Sequence, residues 1–284
     1  DGSGNLLTTE AGSTSTFTVV LDAAPTADVT VSITGLDTTE NSLSGSTLSG
    51  TNTLTFNAGN WNTAQTVTVT GVDDSIVDGD ITTTLTATAN SAGGYSGEST
   101  TTTVKNTDDD TNGISIAQTG TTDGSGNLLT TEAGSTSTFT VVLDAAPTAD
   151  ITVSITGLDA TENSLSGSTL SGTNTLTFTT ANWNTAQTVT ITGVDDTLLD
   201  GHITTTLTAT ANNAGGYAGT ETSTVTVKNT DDDTNSVSIP DVTVNEGSPY
   251  VVFRINSTGS QTLALSTSDR ASGYQGDDND SSAI

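Results

Sequence analysis

The residues of this sequence whose types could do chemistry are carboxylates, and they recur between runs of alternating apolar residues. They are Glu10, Asp37, Glu40, Asp73, Asp74, Asp78, Asp80 and Asp108–Asp110, and further along Glu132, Asp159, Glu162, Asp195, Asp196, Asp200 and Asp231–Asp233. In an antiparallel sandwich, loops separated by two strands lie at the same end, so several of these acids are expected to meet there. Carboxylates gathered in this way repel one another strongly unless cations lie among them.

Calcium is the cation that this pattern favours. Ca²⁺ takes about six to eight oxygen ligands in irregular geometry, whereas Mg²⁺ requires a stricter octahedron and transition metals usually recruit His or Cys. The chain has one His and no Cys. A solvated acidic surface is the alternative, but the acids concentrate at strand ends and avoid strand faces. The sequence therefore predicts Ca²⁺ as the bound cofactor.

The composition excludes several classes of function. The 284 residues include 33 Asp and Glu against 4 Lys and Arg, for a net charge of −29, so no basic surface exists to bind nucleic acid. Without Cys, disulfides and thiolate chemistry are impossible, and a lone His argues against a Ser-His-Asp hydrolase. No apolar run approaches the roughly 18 residues needed to cross a bilayer, so no membrane insertion is expected.

Strands are predicted wherever apolar residues alternate with threonine. The first examples are Phe17–Leu21, Val29–Ile33, Val67–Val69 and Leu85–Ala89, each bounded by Gly, Asp or Asn. Period-two alternation is typical of half-buried antiparallel strands, and about seven strands in roughly 120 residues favour a β-sandwich. The predicted fold class is all-β, with tandem immunoglobulin-like sandwich domains arranged in a rod.

A long internal repeat sets the predicted domains. Residues 1–97 and 123–219 differ at 12 of 97 positions, and the likeness continues through the triple Asp at 108–110 and 231–233. Each triple Asp is followed within a few residues by a short alternating segment, so it is expected to close one domain. The predicted domains are 1–111, which lacks an opening strand, 112–234, and 235–284, the first part of a divergent third repeat.

Four aromatic residues are predicted to pack inward rather than to bind a partner. Trp61 and Trp183 precede one strand of each repeat, and Tyr95 and Tyr217 follow a Gly-Gly pair. A sugar-binding or protein-binding module would expose them beside a groove. A glycosidase would need an aromatic-lined cleft beside paired carboxylates, and only 4% of the residues are aromatic.

Several motifs of the chain resemble the Calx-beta family. They are Thr16–Leu21 (Thr-Phe-Thr-Val-Val-Leu), Asn60–Asp74 with its closing Gly-Val-Asp-Asp, Asp78-Gly79 and Lys105–Asp110 (Lys-Asn-Thr-Asp-Asp-Asp), with Val242–Gly247 and Val251–Ile255 in the third repeat. The closest resemblance is to tandem copies in very large bacterial surface and adhesion proteins. The resemblance implies a seven-stranded sandwich that binds calcium at one tip.

The resemblance also implies a set of calcium ligands. They are Glu10, Asp73, Asp74, Asp108, Asp109 and Asp110 in the first repeat, Glu132, Asp195, Asp196, Asp231, Asp232 and Asp233 in the second, and Glu246 and Asp280 in the third. Two departures from the family pattern matter. The segments around Asp37–Glu40 and Asp159–Glu162 replace the family's Gly-x-Asp-Tyr, and Asp80 becomes His202, so Asp80 is not a ligand or the second site is weaker.

These observations lead to one predicted function and two alternatives. The chain is expected to be a non-enzymatic spacer in a large extracellular adhesin or surface-layer protein, in which Ca²⁺ stiffens the junctions between neighbouring repeats. The first alternative is a recognition module whose partner is a cell-surface glycan or protein. The second is a set of accessory repeats in a large secreted enzyme.

Overall fold

The protein folds into two successive immunoglobulin-like β-sandwiches, as seen in a computed structural model that describes residues 1–238, 252 and 255–257. None of these residues forms a helix, and hence none of them forms one long and apolar enough to cross a membrane. The predicted ligands Glu246 and Asp280 of the third repeat lie outside the described residues.

The first sandwich contains eight strands in two sheets. They are β1 (Leu6–Thr9), β2 (Thr14–Val19), β3 (Val29–Thr34), β4 (Asn41–Ser44), β5 (Thr53–Phe56), β6 (Gln65–Gly71), β7 (Ile81–Ala89) and β8 (Ser99–Thr107). One sheet has the order β1-β8-β7-β3-β5 and the other the order β2-β6-β4.

The second sandwich repeats this plan and adds three strands. Its strands are β9 (Ile114–Gln118), β10 (Leu128–Thr131), β11 (Thr136–Leu143), β12 (Ile151–Thr156), β13 (Asn163–Ser166), β14 (Thr175–Phe178), β15 (Gln187–Gly193), β16 (Ile203–Ala211), β17 (Asn213–Ala214), β18 (Tyr217–Ala218) and β19 (Thr222–Thr230). The five-stranded sheet is β10-β19-β16-β12-β14, and the other sheet, β13-β15-β11-β9, has four strands because β9 joins its edge. Beyond it, β20 (Val237–Ser238) pairs with β21 (Asn256–Ser257).

The cores form because apolar residues alternate with threonine along each strand. In β6 the inward positions Val67 and Val69 are fully buried, and the intervening threonines face outward. The same alternation buries Leu54 and Phe56 in β5. Threonine suits the outer face because its branched Cβ favours the extended backbone and its hydroxyl stays hydrated.

One pairing differs from the expected all-antiparallel arrangement. β1 runs parallel to β8, with Leu6 opposite Val104 and Thr9 opposite Thr107, and β10 pairs with β19 in the same way. The first strand of each five-stranded sheet thus lies beside the last strand of its repeat. Because parallel strands end at the same edge, the residues that follow β1 and β8 are brought together.

Candidate metal centre

The first carboxylate group forms where β1 and β8 end. Glu10 directly follows β1, and Asp109 and Asp110 come shortly after β8. One carboxylate oxygen from each of these three residues, the Glu10 group, lies within 4.8 Å of the others. The Glu10 amide donates to the Thr107 carbonyl at 3.1 Å, and Glu10 Oε2 accepts from the Asp109 amide at 3.2 Å. The parallel pairing therefore positions the group through its backbone.

A second carboxylate group lies at the neighbouring loops. Glu40 precedes β4, and Asp74 and Asp78 follow β6; these three residues, the Glu40 group, also place oxygens within 4.8 Å of one another. The Val72 amide donates to the Glu40 carbonyl at 2.9 Å, which ties the two loops together. Asp74 Oδ1 accepts from the Ile76 amide at 2.7 Å and so shapes its own loop.

The second repeat contains two corresponding groups, in one of which Asp231, the counterpart of Asp108, replaces the counterpart of Asp109. The Glu132 group consists of Glu132, Asp231 and Asp233, and the Glu162 group consists of Glu162, Asp196 and Asp200. The four glutamates are almost fully buried, with exposures between 1% and 4%, whereas the aspartates are half-buried or exposed. Each group thus has a buried glutamate at its base and aspartates toward solvent.

Burial and neighbouring charges raise the pKa values of several acids at the tip of the first repeat. The pKa of Glu10 is raised to about 7, chiefly by burial and further by the charges of Asp108, Asp74 and Asp110, while the hydrogen bond from the Asp109 amide opposes the rise. Burial, followed by neighbouring aspartates, also raises the pKa of Asp110 and of Asp78. Such shifts mean that the ionised carboxyls lack sufficient positive partners.

A buried polar network holds the two groups of a repeat in place. The Asn41 side chain donates to Thr8 Oγ1 at 3.0 Å, Thr8 Oγ1 donates to Asn106 Oδ1 at 2.9 Å, and Asn106 Nδ2 donates to Glu40 Oε2 at 3.3 Å. All four residues are at most 4% exposed. Asn163, Thr130, Asn229 and Glu162 repeat the network in the second sandwich. Because buried polar groups need partners, the network fixes the buried glutamates.

Position 71, which lies against this network, requires glycine. A Cβ on Gly71, the last residue of β6, would lie 2.6 Å from Asn106 Oδ1 and would overlap the Thr9 carbonyl oxygen. Gly193 meets the same neighbours in the second repeat, the Thr131 carbonyl and Asn229 Oδ1. The close approach lets β6 pass directly beside the end of β1, where Glu10 begins.

Two carboxylate oxygens in these groups fit a cation. Asp110 Oδ2 and Asp233 Oδ2 are buried and have no hydrogen-bond partner among the described residues. A buried acceptor without a donor is costly, and a cation would satisfy it. The donors are hard carboxylate oxygens from loops of irregular geometry, the chemistry that Ca²⁺ accepts.

The predicted ligands fall into two sets. Glu10, Asp74, Asp109 and Asp110 lie in the groups of the first repeat, and Glu132, Asp196, Asp231 and Asp233 lie in those of the second. Asp73 and Asp195 are exposed and, like Asp108 and Asp232, belong to none of the four groups. Both oxygens of Asp108 accept backbone amides, from Gly79 at 2.7 Å and from Asp110 at 2.8 Å.

The exchange of Asp80 for His202 has a structural explanation. Asp80 Oδ1 accepts the Asp108 amide at 3.3 Å, and His202 Nδ1 accepts the equivalent Asp231 amide at 3.1 Å. Asp80 also pairs with Lys105 at 2.6 Å, which lowers the pKa of Asp80. The position therefore supplies an acceptor for the backbone, a role that either side chain performs, and it lies outside the four groups.

Sequence reasoning did not select Glu40, Asp78, Glu162 and Asp200 as ligands, although it noted them among the loop acids. Their signal is the pairing of Glu with Asn in Glu40-Asn41 and Glu162-Asn163, since a buried Asn beside an acid indicates a polar network below the surface. Asp37, by contrast, accepts the Thr39 hydroxyl and amide, which lowers its pKa and uses the carboxyl in a turn.

The aromatic residues pack against the cores. Trp61 and Trp183 are half-buried against the first and second cores, Tyr95 is half-buried, and Tyr217 is 2% exposed. The Tyr217 hydroxyl donates to the Ala145 carbonyl at 2.9 Å. Their packing is that of structural side chains.

No protein-family model matches the sequence, and no curated protein matches it. Solved structures with some similarity include CfaE, the adhesive subunit of the CFA/I fimbria of enterotoxigenic Escherichia coli (10% identity, 80% of this chain and 98% of that chain, TM-score 0.37). Others are the extracellular domain of protocadherin GammaB4 (13%, 80% and 32%, TM-score 0.33) and the calcium-binding domain CBD12 of CALX1.1 (15%, 74% and 78%, TM-score 0.28). The function proposed next rests on the chain's own carboxylate groups.

Proposed function

We propose that this chain is a run of calcium-binding spacer domains in an extracellular adhesion-type protein. The observation that carries the proposal is the same in both repeats: a buried glutamate lies beside an aspartate whose buried oxygen has no hydrogen-bond partner in the described part of the chain. Ca²⁺ held by the Glu10 group and the Glu40 group, and by their counterparts, would neutralise these carboxyls. Weak sites, with dissociation constants of about 10⁻⁴ to 10⁻³ M, suffice where the medium supplies calcium.

The loop of the Glu40 group also contacts the next repeat. Ser75, between Asp74 and Asp78, accepts the Ala146 amide of the second sandwich at 2.6 Å. An ion bound by Asp74 and Asp78 would restrain this loop and, through it, the junction. The role of calcium is therefore mechanical: it reduces repulsion at the tip of one repeat and limits the motion of the next.

The inward packing of Trp61, Trp183 and Tyr217 favours a spacer over a module that recognises glycan or protein through exposed aromatics. Accessory repeats of a secreted enzyme would have the same folded properties, and the sequences flanking the repeats in the full polypeptide distinguish that case. The four groups lack the aromatic cleft of a glycosidase, so we propose no catalytic role for them.

Calorimetric titration and thermal unfolding of the 284-residue chain test this proposal. We expect Ca²⁺ to bind and to raise the melting temperature, with Mg²⁺ much less effective at equal concentration, and small-angle scattering to show a narrower range of shapes with Ca²⁺ than with chelator. Asp74→Asn with Asp78→Asn should weaken binding, whereas the exposed Asp28→Asn should not. Equal melting temperatures with calcium and with chelator would contradict the proposal.

A further inference from the structure

The linker between the two sandwiches ends in an Asn-Gly pair. β8 ends at Thr107 and β9 begins at Ile114, so residues 108–113 join the repeats. Asn112 and Gly113 are the last two of them, and no other asparagine in the sequence is followed by glycine. Asparagine is a thermally labile residue, and a following glycine leaves the main-chain nitrogen free to approach its side chain. The joint between the repeats therefore contains a chemically labile pair.

The packing of β9 explains why position 113 is a glycine. The Asp144 amide donates to the Gly113 carbonyl at 3.0 Å, and a Cβ added to Gly113 would overlap the Asp144 carboxylate. The linker can therefore enter β9 along this path only with glycine at this position. The same requirement leaves Asn112 without a bulky neighbour on its C-terminal side, which favours cyclisation of an asparagine side chain.

The Asn112 side chain fastens the linker to the second sandwich. Asn112 Nδ2 donates to the carbonyl of Gly216, which lies between β17 and β18, at 3.0 Å. The hydroxyl of the next residue, Tyr217, lies 3.4 Å from the Gly113 carbonyl oxygen. The end of the linker is thus held against the β17–β18 hairpin. Asn112 and Gly113 are only half-buried, so water reaches them, and one hydrogen bond of this kind is weak enough to open by thermal motion.

We propose that Asn112 is a site of spontaneous deamidation that weakens the joint between the two repeats. The Gly113 main-chain nitrogen gives its proton to solvent hydroxide and attacks Cγ of Asn112. The bond from this nitrogen to Cγ forms, the bond from Cγ to Nδ2 breaks, and Nδ2 takes a proton from water and leaves as ammonia. Water then adds to either carbonyl of the cyclic imide and leaves aspartate or isoaspartate at position 112.

Both products lose the contact that holds the linker. A carboxylate has no hydrogen to donate to the Gly216 carbonyl, and it places a negative charge beside that oxygen. Isoaspartate also adds one carbon to the main chain between the triple Asp and β9. We therefore expect the modified linker to leave the hairpin and the two repeats to take a wider range of relative orientations. This inference does not rest on calcium binding.

The second linker is a matched control within the same chain. It repeats the sequence of the first as Asp231–Asp233, Thr234 and Asn235, but serine follows the asparagine. After incubation of the 284-residue chain at mildly alkaline pH, cleavage before aspartate releases residues 110–122 and 233–240 for mass spectrometry. We expect the mass gain of an amide-to-acid change to appear at least about tenfold faster in the first peptide than in the second, because glycine lacks the Cβ that hinders cyclisation.

Two further measurements complete this experiment. Cleavage at position 112 itself counts as aspartate product, and labelling of peptide 110–122 by an isoaspartyl methyltransferase reports isoaspartate. A synthetic peptide of residues 110–122, incubated alongside the chain, gives the rate without the fold. An Asn112 that stays intact in the chain while the synthetic peptide deamidates would overturn the proposal, as would equal rates at Asn112 and Asn235.

Three variants, measured in chelator, test the effect on the joint. Asn112→Asp reproduces one product, so its melting temperature should fall by about 2–4 °C, and small-angle scattering should show a wider range of shapes. Asn235→Asp adds the same charge at an exposed position and should change both much less. Asn112→Gln keeps an amide on a longer side chain and should show no mass gain in peptide 110–122. If Asn112→Asp and Asn235→Asp behave alike in melting and scattering, deamidation does not weaken the joint.

Discussion

At the scale of single residues, the feature that requires explanation is a glutamate buried among aspartates. Glu10 is 1% exposed, and its pKa is raised to about 7 by burial and by the charges of Asp108, Asp74 and Asp110. An ionised carboxyl in such a place destabilises the folded chain unless a cation is present. A metal ion bound beside Glu10 would therefore offset the cost of burying its charge.

Replacing Glu10 by glutamine separates the destabilising effect of its buried charge from its contribution to calcium binding. Without calcium, Glu10→Gln should raise the melting temperature at pH 8, because it removes a buried negative charge of similar shape. With calcium, the same variant should gain less from the ion than the original chain does. Thermal unfolding with Ca²⁺ and with chelator measures both, and Asp28→Asn is the exposed control. A Glu10→Gln chain with an unaltered calcium response would exclude Glu10 as a ligand.

The raised pKa of Glu10 also makes the free energy of unfolding depend on pH. The folded chain holds the proton up to about pH 7 and the unfolded chain only to 4.5, so folding binds a proton between these values. In chelator, the free energy of unfolding should therefore rise as pH falls from 8 to 5, by at most about 3 kcal/mol for this group. Saturating Ca²⁺ should weaken or reverse the trend, because protons compete with the ion.

Denaturant unfolding at pH 5, 6, 7 and 8 measures this dependence. Asp37, whose pKa is lowered by hydrogen bonds to Thr39, titrates below this window and does not contribute to it. Stability that rises with pH in chelator would contradict the assigned shift. Glu10→Gln serves as the control: it should reduce the slope by the share of Glu10, while Glu40 and Glu132, whose pKa values burial also raises, keep their shares.

The sequence predicted Glu10 and the triple Asp as ligands but did not select Glu40 or Asp78. Strand ends can be predicted from local alternation, and these acids are adjacent to strands. Which loops meet depends on pairings between distant residues, such as β1 with β8, and on the buried link from Asn106 to Glu40. No local pattern specifies such contacts, so the outline of the site could be predicted but its division into two groups could not.

At the scale of elements, the close crossing of β6 and the end of β1 shapes the tip. The strands themselves follow from alternating Val, Leu and Thr, and those predictions agree with β3, β6 and β7. The parallel pairing of β1 was not predicted, because a four-residue strand has too little periodicity to indicate its partner. Gly71 is the point where the crossing is tightest.

Gly71→Ala tests the crossing. Its Cβ would overlap the Thr9 carbonyl and press on Asn106 Oδ1, so we expect a loss of about 2 kcal/mol in the free energy of unfolding. Gly2→Ala is the matched control, since a Cβ there meets nothing within 4 Å. Denaturant unfolding measures both, and equal stabilities of the two variants would show that the crossing is looser than described.

At the scale of the whole molecule, the dominant feature is a net charge of −29 on 284 residues. Such charge keeps a protein soluble and opposes its compact state through self-repulsion. Four acidic groups at two domain tips concentrate that repulsion where one repeat follows another. Calcium bound at the tips would therefore neutralise acids where they are concentrated.

Salt should therefore substitute in part for calcium. Raising ionic strength from 0.01 to 0.1 M shortens the screening length from about 30 to about 10 Å, so sodium chloride in chelator should raise the melting temperature. In saturating Ca²⁺ the same salt should have a smaller effect. Choline chloride, which screens without specific binding, is the control. A larger effect of salt with calcium than without it would contradict this account.

The parallel pairing of β1 with β8 has a consequence for a chain under tension. When a force pulls the start of β1 away from the end of β8, it acts along the two strands in opposite directions. The hydrogen bonds of all four residue pairs, from Leu6–Val104 to Thr9–Thr107, are then loaded in shear at the same time. They must break together and not one after another, as in an unzipping hairpin. The same stretch leads directly into Glu10 and Asp108–Asp110, so an ion there would clamp the shear-bearing pair at its end.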